Sequence, residues 1–302
     1  MRTAGVVAAI YAVGLIFGTA WAEQAPSFLV SEPVEINQGG IAELEVSGAE
    51  FTAVEGRFGK EKIHFYRNDR GNFNALLGID LEAKPGPVKI HIMGTTRSGT
   101  VRETQMSLPV KAKSFPQEKF TVAPEFDQLT PEILDRVRKE QDQFTRAFST
   151  SAPARLWEIP FTMPVTMEVS SPFGYRRVIN GTPRAPHTGI DFRAPMGTEV
   201  LASNHGRVAL LGDFFFSGKS VVVDHGGGLY TLYFHFSDFK VSEGAEVRQG
   251  DVLGLSGMTG RVTGPHLHWS ARLNGARIDP FELVEKLGGK LDKPTRVDGK
   301  TD

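Results

Sequence analysis

Short stretches in which apolar and polar residues alternate recur along most of the chain, and turn sequences separate them. The alternation is regular in residues 41–46, as expected for a β-strand with one buried face. Glycine and proline turns, such as Gly39-Gly40 and Lys84-Pro85-Gly86-Pro87, punctuate this region. Further candidate strands cover residues 62–66, 75–79, 88–92 and 104–110. This spacing predicts a mainly β protein with a β-sandwich-like N-terminal domain at residues 27–116.

One segment departs from the β pattern and predicts a helix. Thr130 supplies a capping hydroxyl, and Pro131 occupies the first helical position, where proline is favoured. The apolar residues on one helical face are Ile133, Leu134, Val137, Phe144 and Phe148, whereas Glu140 and other charged residues occupy the opposite face. We interpret residues 130–149 as a helical connector that packs on one domain or bridges both. A helix that binds a partner is the alternative.

The C-terminal half again favours strands and is rich in glycine. Candidate strands cover residues 220–224, 229–234 and 265–270, and residues 243–254 predict a tight hairpin. We assign residues 160–287 to a second, antiparallel β domain, and at this length each domain is expected to bury its own core. Residues 288–302, rich in Lys, Asp and Gly, predict a flexible tail.

The first 22 residues predict export from the cytoplasm. Arg2 precedes an almost uninterrupted apolar stretch, and Ala20-Trp21-Ala22 has the small-residue pattern of a cleavage site. The apolar stretch is shorter than the ~20 residues of a membrane span. We therefore predict a cleaved signal peptide at residues 1–22, no stable membrane anchor after cleavage, and a periplasmic or secreted mature protein.

Composition limits the chemistry that the chain can carry out. It has 34 Lys plus Arg against 35 Asp plus Glu, and no cysteine. A nucleic-acid-binding protein usually has a basic excess, so nucleic acid is not an expected partner. Without cysteine, the chain can form no disulfide, thiolate nucleophile or cysteine metal site. Any metal ion must therefore be held by nitrogen and oxygen ligands.

Six of the eight histidines lie between residues 187 and 268, and two clusters stand out: His187-Thr-Gly-Ile-Asp191 and His266-Leu-His268. Side chains alternate along a strand, so His266 and His268 are expected on the same face. On a flat strand His187 and Asp191 would lie ~13 Å apart, too far to share one zinc ion, so we expect a bend at Gly189. If the clusters converge, they offer the imidazole and carboxylate ligands of a catalytic zinc site.

Five short segments are more specific in combination than either cluster alone. They are Ser171-Pro-Phe-Gly-Tyr-Arg176, His187-Thr-Gly-Ile-Asp191, Asp224-His-Gly, Tyr230-Thr-Leu-Tyr-Phe-His235 and Gly264-Pro-His-Leu-His268. Their order resembles that of the LytM/lysostaphin-type zinc metallopeptidases, over residues 171–280. The resemblance implies a compact, mostly antiparallel β fold with a groove, and hydrolysis of peptide bonds in peptidoglycan cross-links or stem peptides.

The resemblance also implies roles for individual residues. His187, Asp191 and His268 become the ligands of Zn²⁺, and three protein ligands leave a fourth position for water or a substrate carbonyl. His235 and His266 become the catalytic histidines, which exchange protons and stabilise the developing oxyanion. The alternative is a non-catalytic periplasmic activator or scaffold for other cell-wall hydrolases. The presence of all five residues favours the zinc metalloendopeptidase.

Several nearby residues have more than one interpretation. Arg176 and Arg177 could bind substrate carboxylates or only cover the surface. Phe214-Phe215-Phe216 could line the groove or form a partner-binding patch, and strand alternation predicts that at least one of the three is exposed. His225 is expected to be a structural hydrogen-bonding residue at the end of a strand.

Overall fold

The protein is described by a computed structural model, which covers residues 29–30, 35–48, 50–123 and 129–291. The predicted signal peptide at residues 1–22 lies outside these ranges. Within them the chain is mainly β, as predicted, with 22 strands and two helices. Neither of these helices is both long and apolar enough to cross a membrane.

Two sheets face each other in the N-terminal part of the chain. Their strands are β1 (Leu29–Val30), β2 (Ile36–Asn37), β3 (Ile41–Ser47), β4 (Phe51–Phe58), β5 (Glu61–His64), β6 (Tyr66–Arg67), β7 (Phe73–Gly78), β8 (Gly86–Thr96) and β9 (Val101–Lys111). One sheet has the order β1-β3-β7-β6, and the other has the order β2-β9-β8-β4-β5. Leu44 and Leu77 from the first sheet share a buried core with Ile90 and Leu108 from the second. This arrangement is the predicted sandwich, and its limits at residues 27 and 116 stay predictions.

The strand predicted at residues 62–66 is divided between the two sheets. β5 pairs with β4 in one sheet, and β6 pairs with β7 in the other. The chain therefore crosses from one sheet to the other at Phe65. A periodicity of two shows which residues share a face, but it does not show where a strand changes sheet.

The predicted helix forms α1 (Pro131–Ser149). Thr130 Oγ1 accepts the backbone N–H of Ile133, and Pro131 follows the cap. The helix packs on the C-terminal sheet, where the Phe144 ring lies 4.8 Å from the Phe214 ring between centroids. Of the two packing arrangements expected from the sequence, the structure thus shows α1 packed on the C-terminal domain.

Two residues of α1 lie on the opposite side from the one predicted. Leu134 is 39% exposed, whereas Glu140 is 9% exposed. The Glu140 carboxylate accepts the Nε–H of Arg136 at 2.6 Å and the backbone N–H of Phe215 at 3.0 Å. These hydrogen bonds stabilise a charge that burial alone would penalise. The contact with Phe215 is remote in sequence, so helical periodicity could not indicate it.

The C-terminal part contains the remaining elements. These are β10 (Gln117–Phe120), β11 (Val169–Ser171), β12 (Arg176–Ile179), β13 (Thr182–Pro183), β14 (Gly189–Phe192), β15 (Glu199–Leu201), β16 (Gly206–Phe214), β17 (Gly218–Asp224), β18 (Leu229–Phe239), β19 (Glu246–Val247), β20 (Val252–Ser256), β21 (Leu267–Leu273), β22 (Ala276–Ile278) and α2 (Pro280–Lys286). The main sheet has the order β11-β14-β21-β18-β17-β16-β19, with β15, β20 and β22 attached to it. β10 pairs in parallel with β12, and β12 pairs with β13.

The hairpin predicted at residues 243–254 is wrong. β19 pairs with β16, whereas β20 pairs with β15 and β18. A turn does join the two strands, since the backbone N–H of Asp251 donates to Arg248 O at 3.1 Å. The local turn signal was therefore informative, but the strands beside the turn have separate, distant partners.

The N-terminal sandwich docks directly on β21, β22 and α2. Asp80 accepts Nε–H of Arg277 at 2.9 Å and Nη2–H at 2.5 Å, and the Glu282 carboxylate accepts the backbone N–H of Ile41 at 2.8 Å. Ile41 and Leu81 belong to the C-terminal hydrophobic core rather than to the sandwich core. Each domain therefore has its own core, as expected, and a few apolar side chains of the sandwich also help to fill the second core.

The start of the predicted flexible tail is held against the C-terminal core. The backbone N–H of Gly289 donates to Val284 O at 2.8 Å, and Leu291 packs against that core. The last eleven residues, 292–302, lie outside the described ranges.

A buried chain of hydrogen bonds begins at His225, directly after β17. Its Nδ1–H donates to His205 O at 2.7 Å, and its Nε2 lies 2.7 Å from Thr231 Oγ1. Thr231 Oγ1 lies 2.9 Å from the Tyr233 hydroxyl, which lies 3.0 Å from Ser203 Oγ. Burial lowers the pKa of His225 to about 4. His225 thus has the structural surroundings that the sequence predicted for it.

We expect His225 to make folding less stable as the pH falls from about 6.5 towards 4. In this window the unfolded chain protonates His225 while the folded chain does not, so lowering the pH favours unfolding. The full difference corresponds to ~3 kcal/mol. Urea unfolding of metal-free wild type and His225→Gln at pH 7 and pH 5 measures it. The variant should be less stable at pH 7 but lose less stability on acidification, and parallel losses would contradict the assignment.

Candidate metal centre

The register of two antiparallel strands brings Asp191 and His268 together. β14 pairs with β21 so that Asp191 lies directly opposite His268. Side chains that are directly opposite on neighbouring strands lie close together on one face of the sheet. His268 Nδ1 is accordingly 2.7 Å from Asp191 Oδ1.

His187 reaches the same point from the loop before β14. Its ring Nδ1–H donates to Pro172 O at 2.9 Å, and its backbone N–H donates to Tyr175 O at 2.8 Å. The Nε2 atom then lies 3.0 Å from Asp191 Oδ1 and 3.0 Å from His268 Nδ1. The chain therefore bends between His187 and Asp191, as their spacing required.

Gly189 serves a different purpose from the predicted one. Its backbone is outside the left-handed region, so the bend does not depend on a positive φ. A Cβ at this position would lie 2.7 Å from His268 Nε2 and 2.5 Å from Trp269 O. Glycine is needed here because the His268 ring and the neighbouring strand approach the backbone closely.

We expect Gly189→Ala to weaken metal binding, because the added methyl group must displace the His268 imidazole. Overpacking of this kind costs on the order of 1–3 kcal/mol. If this cost destabilises only the zinc-bound protein, zinc affinity falls roughly tenfold to a hundredfold. Competition with a zinc chelator measures the affinity. Gly264→Ala is the control, because a Cβ there has no atom within 4 Å. Equal zinc affinities in the two variants would contradict this account.

The three side chains form a donor set that fits a zinc ion. Donor atoms of His187, Asp191 and His268 all lie within 4.8 Å of one another, and all three residues are buried. A carbonyl oxygen can only accept, so the His187 Nδ1 carries the proton and its Nε2 lone pair faces the carboxylate. Two imidazoles and one carboxylate are a ligand set that zinc favours at catalytic sites.

The electrostatic surroundings keep Asp191 ionised. Burial by itself would raise the pKa of Asp191, but His187 and His268 hold this pKa well below its usual range. Burial lowers the pKa of His268 to about 4, against the attraction of the Asp191 carboxylate. The site therefore presents the anionic carboxylate of Asp191 beside the imidazole nitrogens of His187 and His268.

Arg176 and Arg177, for which the sequence allowed two interpretations, have different surroundings in the structure. Arg177, on β12, places Nη2 3.3 Å from Asp191 Oδ2. Arg176 instead places Nη1 3.6 Å from Oε1 of Glu82 in the sandwich, and its guanidinium carbon lies 5.6 Å from the Phe115 ring centroid. Arg177 can orient the second carboxylate oxygen of Asp191, whereas Arg176 belongs to the contact with the N-terminal domain.

His235 enters the groove through an irregularity in β18. Tyr233 and Phe236 both lie in the same core although they are three residues apart, and in a regular strand an odd separation places side chains on opposite faces. The extra residue is accommodated at a register shift, where His235 has φ of 68°. A left-handed backbone is uncommon for a residue other than glycine and costs on the order of 1 kcal/mol or more.

Backbone carbonyls set the tautomers of His235 and His266. His235 Nδ1–H donates to Thr259 O at 2.8 Å, and His266 Nδ1–H donates to Gly264 O at 2.9 Å. Each histidine therefore keeps Nε2 as the nitrogen for contacts in the groove. The two rings lie 4.7 Å apart between centroids, and His266 Nε2 lies 3.9 Å from Asp191 Oδ1. Burial, followed by the nearby histidines, lowers the pKa of His235 to about 3.

The sequence predicted that at least one of the three consecutive phenylalanines is exposed, but none of them is. Phe214 is buried under α1, and Phe215 and Phe216 are half-buried. β16 ends at Phe214, so the other two lie in a turn rather than on a strand, and strand alternation does not apply to them. Phe216 is among the residues that line the groove.

The site opens into a groove of about 720 Å³. His187, Asp191, His268, His235 and His266 all line it. Glu118 on β10 is one of the lining residues that the sequence motifs do not include, and it accepts the Ser171 hydroxyl at 3.0 Å. Ser171 Oγ lies in turn 3.1 Å from His187 Nδ1. The segment that follows the sandwich thus contributes to the groove wall, and no local motif at Glu118 indicates this.

Comparison with known proteins places this architecture in a family. The model of Peptidase family M23 matches residues 185–280. A crystal structure of a candidate M23 peptidase from Pseudomonas aeruginosa has 33% identity and a TM-score of 0.67, covering 83% of this chain and 95% of that chain. This chain belongs to peptidase family M23, as the LytM/lysostaphin-type motifs predicted, and the family is zinc-dependent.

Two curated relatives match a smaller part of the chain. The DD-carboxypeptidase/endopeptidase Mpg of Neisseria meningitidis serogroup B is 49% identical over 121 residues, 40% of this chain and 28% of the relative. The peptidoglycan DD-endopeptidase ShyA of Vibrio cholerae serotype O1 is 39% identical over 156 residues, 51% of this chain and 34% of the relative. The matches thus span about a third or less of these relatives.

Proposed function

We propose that the chain is a zinc-dependent endopeptidase that hydrolyses peptide bonds in peptidoglycan cross-links or stem peptides. The convergence of His187, Asp191 and His268 beside His235 and His266 in one groove carries this proposal. The names of the two curated relatives, a DD-carboxypeptidase/endopeptidase and a peptidoglycan DD-endopeptidase, support the substrate class.

His187, Asp191 and His268 are the proposed zinc ligands, through His187 Nε2, His268 Nδ1 and a carboxylate oxygen. When bound, zinc supplies a Lewis acid that polarises the scissile carbonyl and favours ionisation of water. Arg177 and Pro172 orient this set from outside, by holding Asp191 Oδ2 and His187 Nδ1. The ligands are thereby fixed in place before substrate binds.

His235 and His266 are the proposed catalytic histidines. With Nδ1 of each ring donating to a backbone carbonyl, Nε2 can accept a proton from the attacking water or, once protonated, donate to the developing oxyanion or leaving amine. The lowered pKa of His235 keeps its imidazole unprotonated at neutral pH. A positioned histidine of this kind contributes typically 10²–10⁴-fold to the rate.

The proposed activity implies where the protein acts. Relatives that act on peptidoglycan support an extracytoplasmic location. We further propose the periplasm, reached through the predicted signal peptide at residues 1–22. Within the chain we assign catalysis to residues 160–287 and assign residues 27–116 to a domain that is docked on them.

Incubation of the purified mature chain with peptidoglycan sacculi and with isolated cross-linked peptides tests this function. We expect release of soluble peptides, loss of cross-linked species, inhibition by a chelator and recovery on addition of zinc. Protein that binds zinc stoichiometrically but cleaves neither substrate would favour the activator or scaffold. Protein that binds no zinc would contradict the assigned ligands.

A further inference from the structure

A buried serine hydroxyl joins the proposed metal centre to the segment that follows the sandwich. Ser171, the last residue of β11, is 5% exposed. Its Oγ lies 3.0 Å from Glu118 Oε2 and 3.1 Å from His187 Nδ1. Glu118 is held at this place because β10 pairs in parallel with β12, in a register that sets Glu118 opposite Arg177. A carboxylate from outside the catalytic motifs is thus connected to a proposed zinc ligand through a single hydroxyl group.

The direction of these hydrogen bonds follows from the chemistry of the groups. An ionised carboxylate can only accept, so the single hydroxyl hydrogen of Ser171 is donated to Glu118. The serine oxygen then offers only lone pairs to His187 Nδ1, which carries the proton at this contact. Pro172 O lies 2.9 Å from the same nitrogen and also only accepts. Both neighbours therefore leave the lone pair of the His187 ring on Nε2, which faces Asp191.

A serine hydroxyl on its own does not determine the tautomer of a neighbouring histidine. It can donate as well as accept, and its hydrogen rotates to suit the surroundings. A hydroxyl that donates to Nδ1 favours the tautomer with the proton on Nε2, and a protonated Nε2 cannot bind a metal ion. The Glu118 carboxylate opposes this alternative because it fixes the direction of the Ser171 O–H bond.

We propose that Glu118 is a positioning residue of the metal centre, which acts through Ser171 to hold His187 in the tautomer that binds zinc. The inference rests on the proposed function and extends the metal centre beyond residues 160–287. A carboxylate that accepts a hydrogen bond from a metal-binding histidine fixes the tautomer and orientation of the ring. Here the serine hydroxyl lies between the two groups, so zinc affinity depends on a residue of the segment after the sandwich.

Glu118→Gln tests the proposal because it keeps the shape of the side chain but introduces an amide, which donates as well as accepts. The Ser171 hydroxyl can then turn, so we expect zinc affinity to fall roughly tenfold, the lower end of the range for groups around a metal ligand. Competition with a chelator measures it, and an unchanged affinity overturns the proposal. Glu199→Gln is the matched control, since Glu199 is exposed in the same domain and is not among the residues that line the groove.

Ser171→Ala and the double variant Glu118→Gln/Ser171→Ala show whether the effect passes through the hydroxyl. Both retain the Pro172 carbonyl as an acceptor for His187 Nδ1. If Ser171 transmits the effect, Glu118→Gln should cause no further loss of zinc affinity once the hydroxyl is absent, because coupled groups are not additive. Losses that simply add overturn the route through Ser171.

The tautomer of His187 in metal-free protein is a readout that a general loss of packing does not move. NMR of protein labelled at the histidine ring nitrogens distinguishes a proton on Nδ1 from one on Nε2, and the spectrum of His187→Gln assigns the signal. We expect Nδ1–H in wild type and a population with Nε2–H in Glu118→Gln. Nε2–H in wild type, or the same tautomer in both proteins, overturns the proposal. If wild type binds no zinc, the proposed function fails, and this measurement still decides the role of Glu118.

Discussion

Asp191→Ala and His268→Ala are expected to lose bound zinc and peptidase activity together. Each change removes one of three donor groups that lie within 4.8 Å of one another. Changes around a metal site that leave its ligands intact typically cost 10–100-fold in metal affinity. Removal of a ligand should therefore exceed that loss, and activity should fall to background.

Metal analysis after desalting and peptide release from sacculi measure the two losses on the same preparations. Asp191→Asn separates charge from shape, because the amide retains an oxygen but no negative charge. His205→Ala is the control, since His205 is half-buried and is not among the residues that line the groove. Full zinc content in Asp191→Ala or His268→Ala would exclude that residue as a ligand.

Local patterns in the sequence predicted the elements of this fold better than their partners. Alternation identified strands such as β3, and the Thr130-Pro131 pair located the start of α1. The pairing of β19 with β16 and the change of sheet at Phe65 depend on contacts between residues far apart in sequence. Such contacts are determined by the packing of the whole domain, which a local period of two does not encode.

The candidate site was predictable to the extent that its residues lie in short motifs. Both Asp191 and His268 lie in short motifs, and strand register then brings their side chains into contact. His235 reaches the groove because the strand has a bulge at which His235 adopts a left-handed backbone. In a strand without this bulge, alternation would place the His235 side chain on the opposite face. Glu118 lies outside every motif, and only the parallel pairing of β10 with β12 brings it to the groove.

His266→Ala is expected to keep its zinc but to lose most of its activity. His266 Nε2 lies 3.9 Å from Asp191 Oδ1, farther than the donor atoms of the other two proposed ligands, His187 Nε2 at 3.0 Å and His268 Nδ1 at 2.7 Å. Loss of a positioned acid–base group costs typically 10²–10⁴-fold in kcat. Zinc analysis and kcat on a cross-linked peptide measure both effects. A variant without zinc would instead make His266 a ligand.

His235→Ala and the double variant His235→Ala/His266→Ala show whether the two histidines act on the same step. Their rings lie 4.7 Å apart, and each Nε2 is directed by a separate backbone carbonyl. If both serve one proton-transfer path, the double variant should be little slower than the slower single variant, because groups that act as a unit are not additive. If they act on separate steps or separate charges, the free-energy losses should add. Zinc retention in all three variants is the condition under which the comparison tests catalysis rather than metal binding.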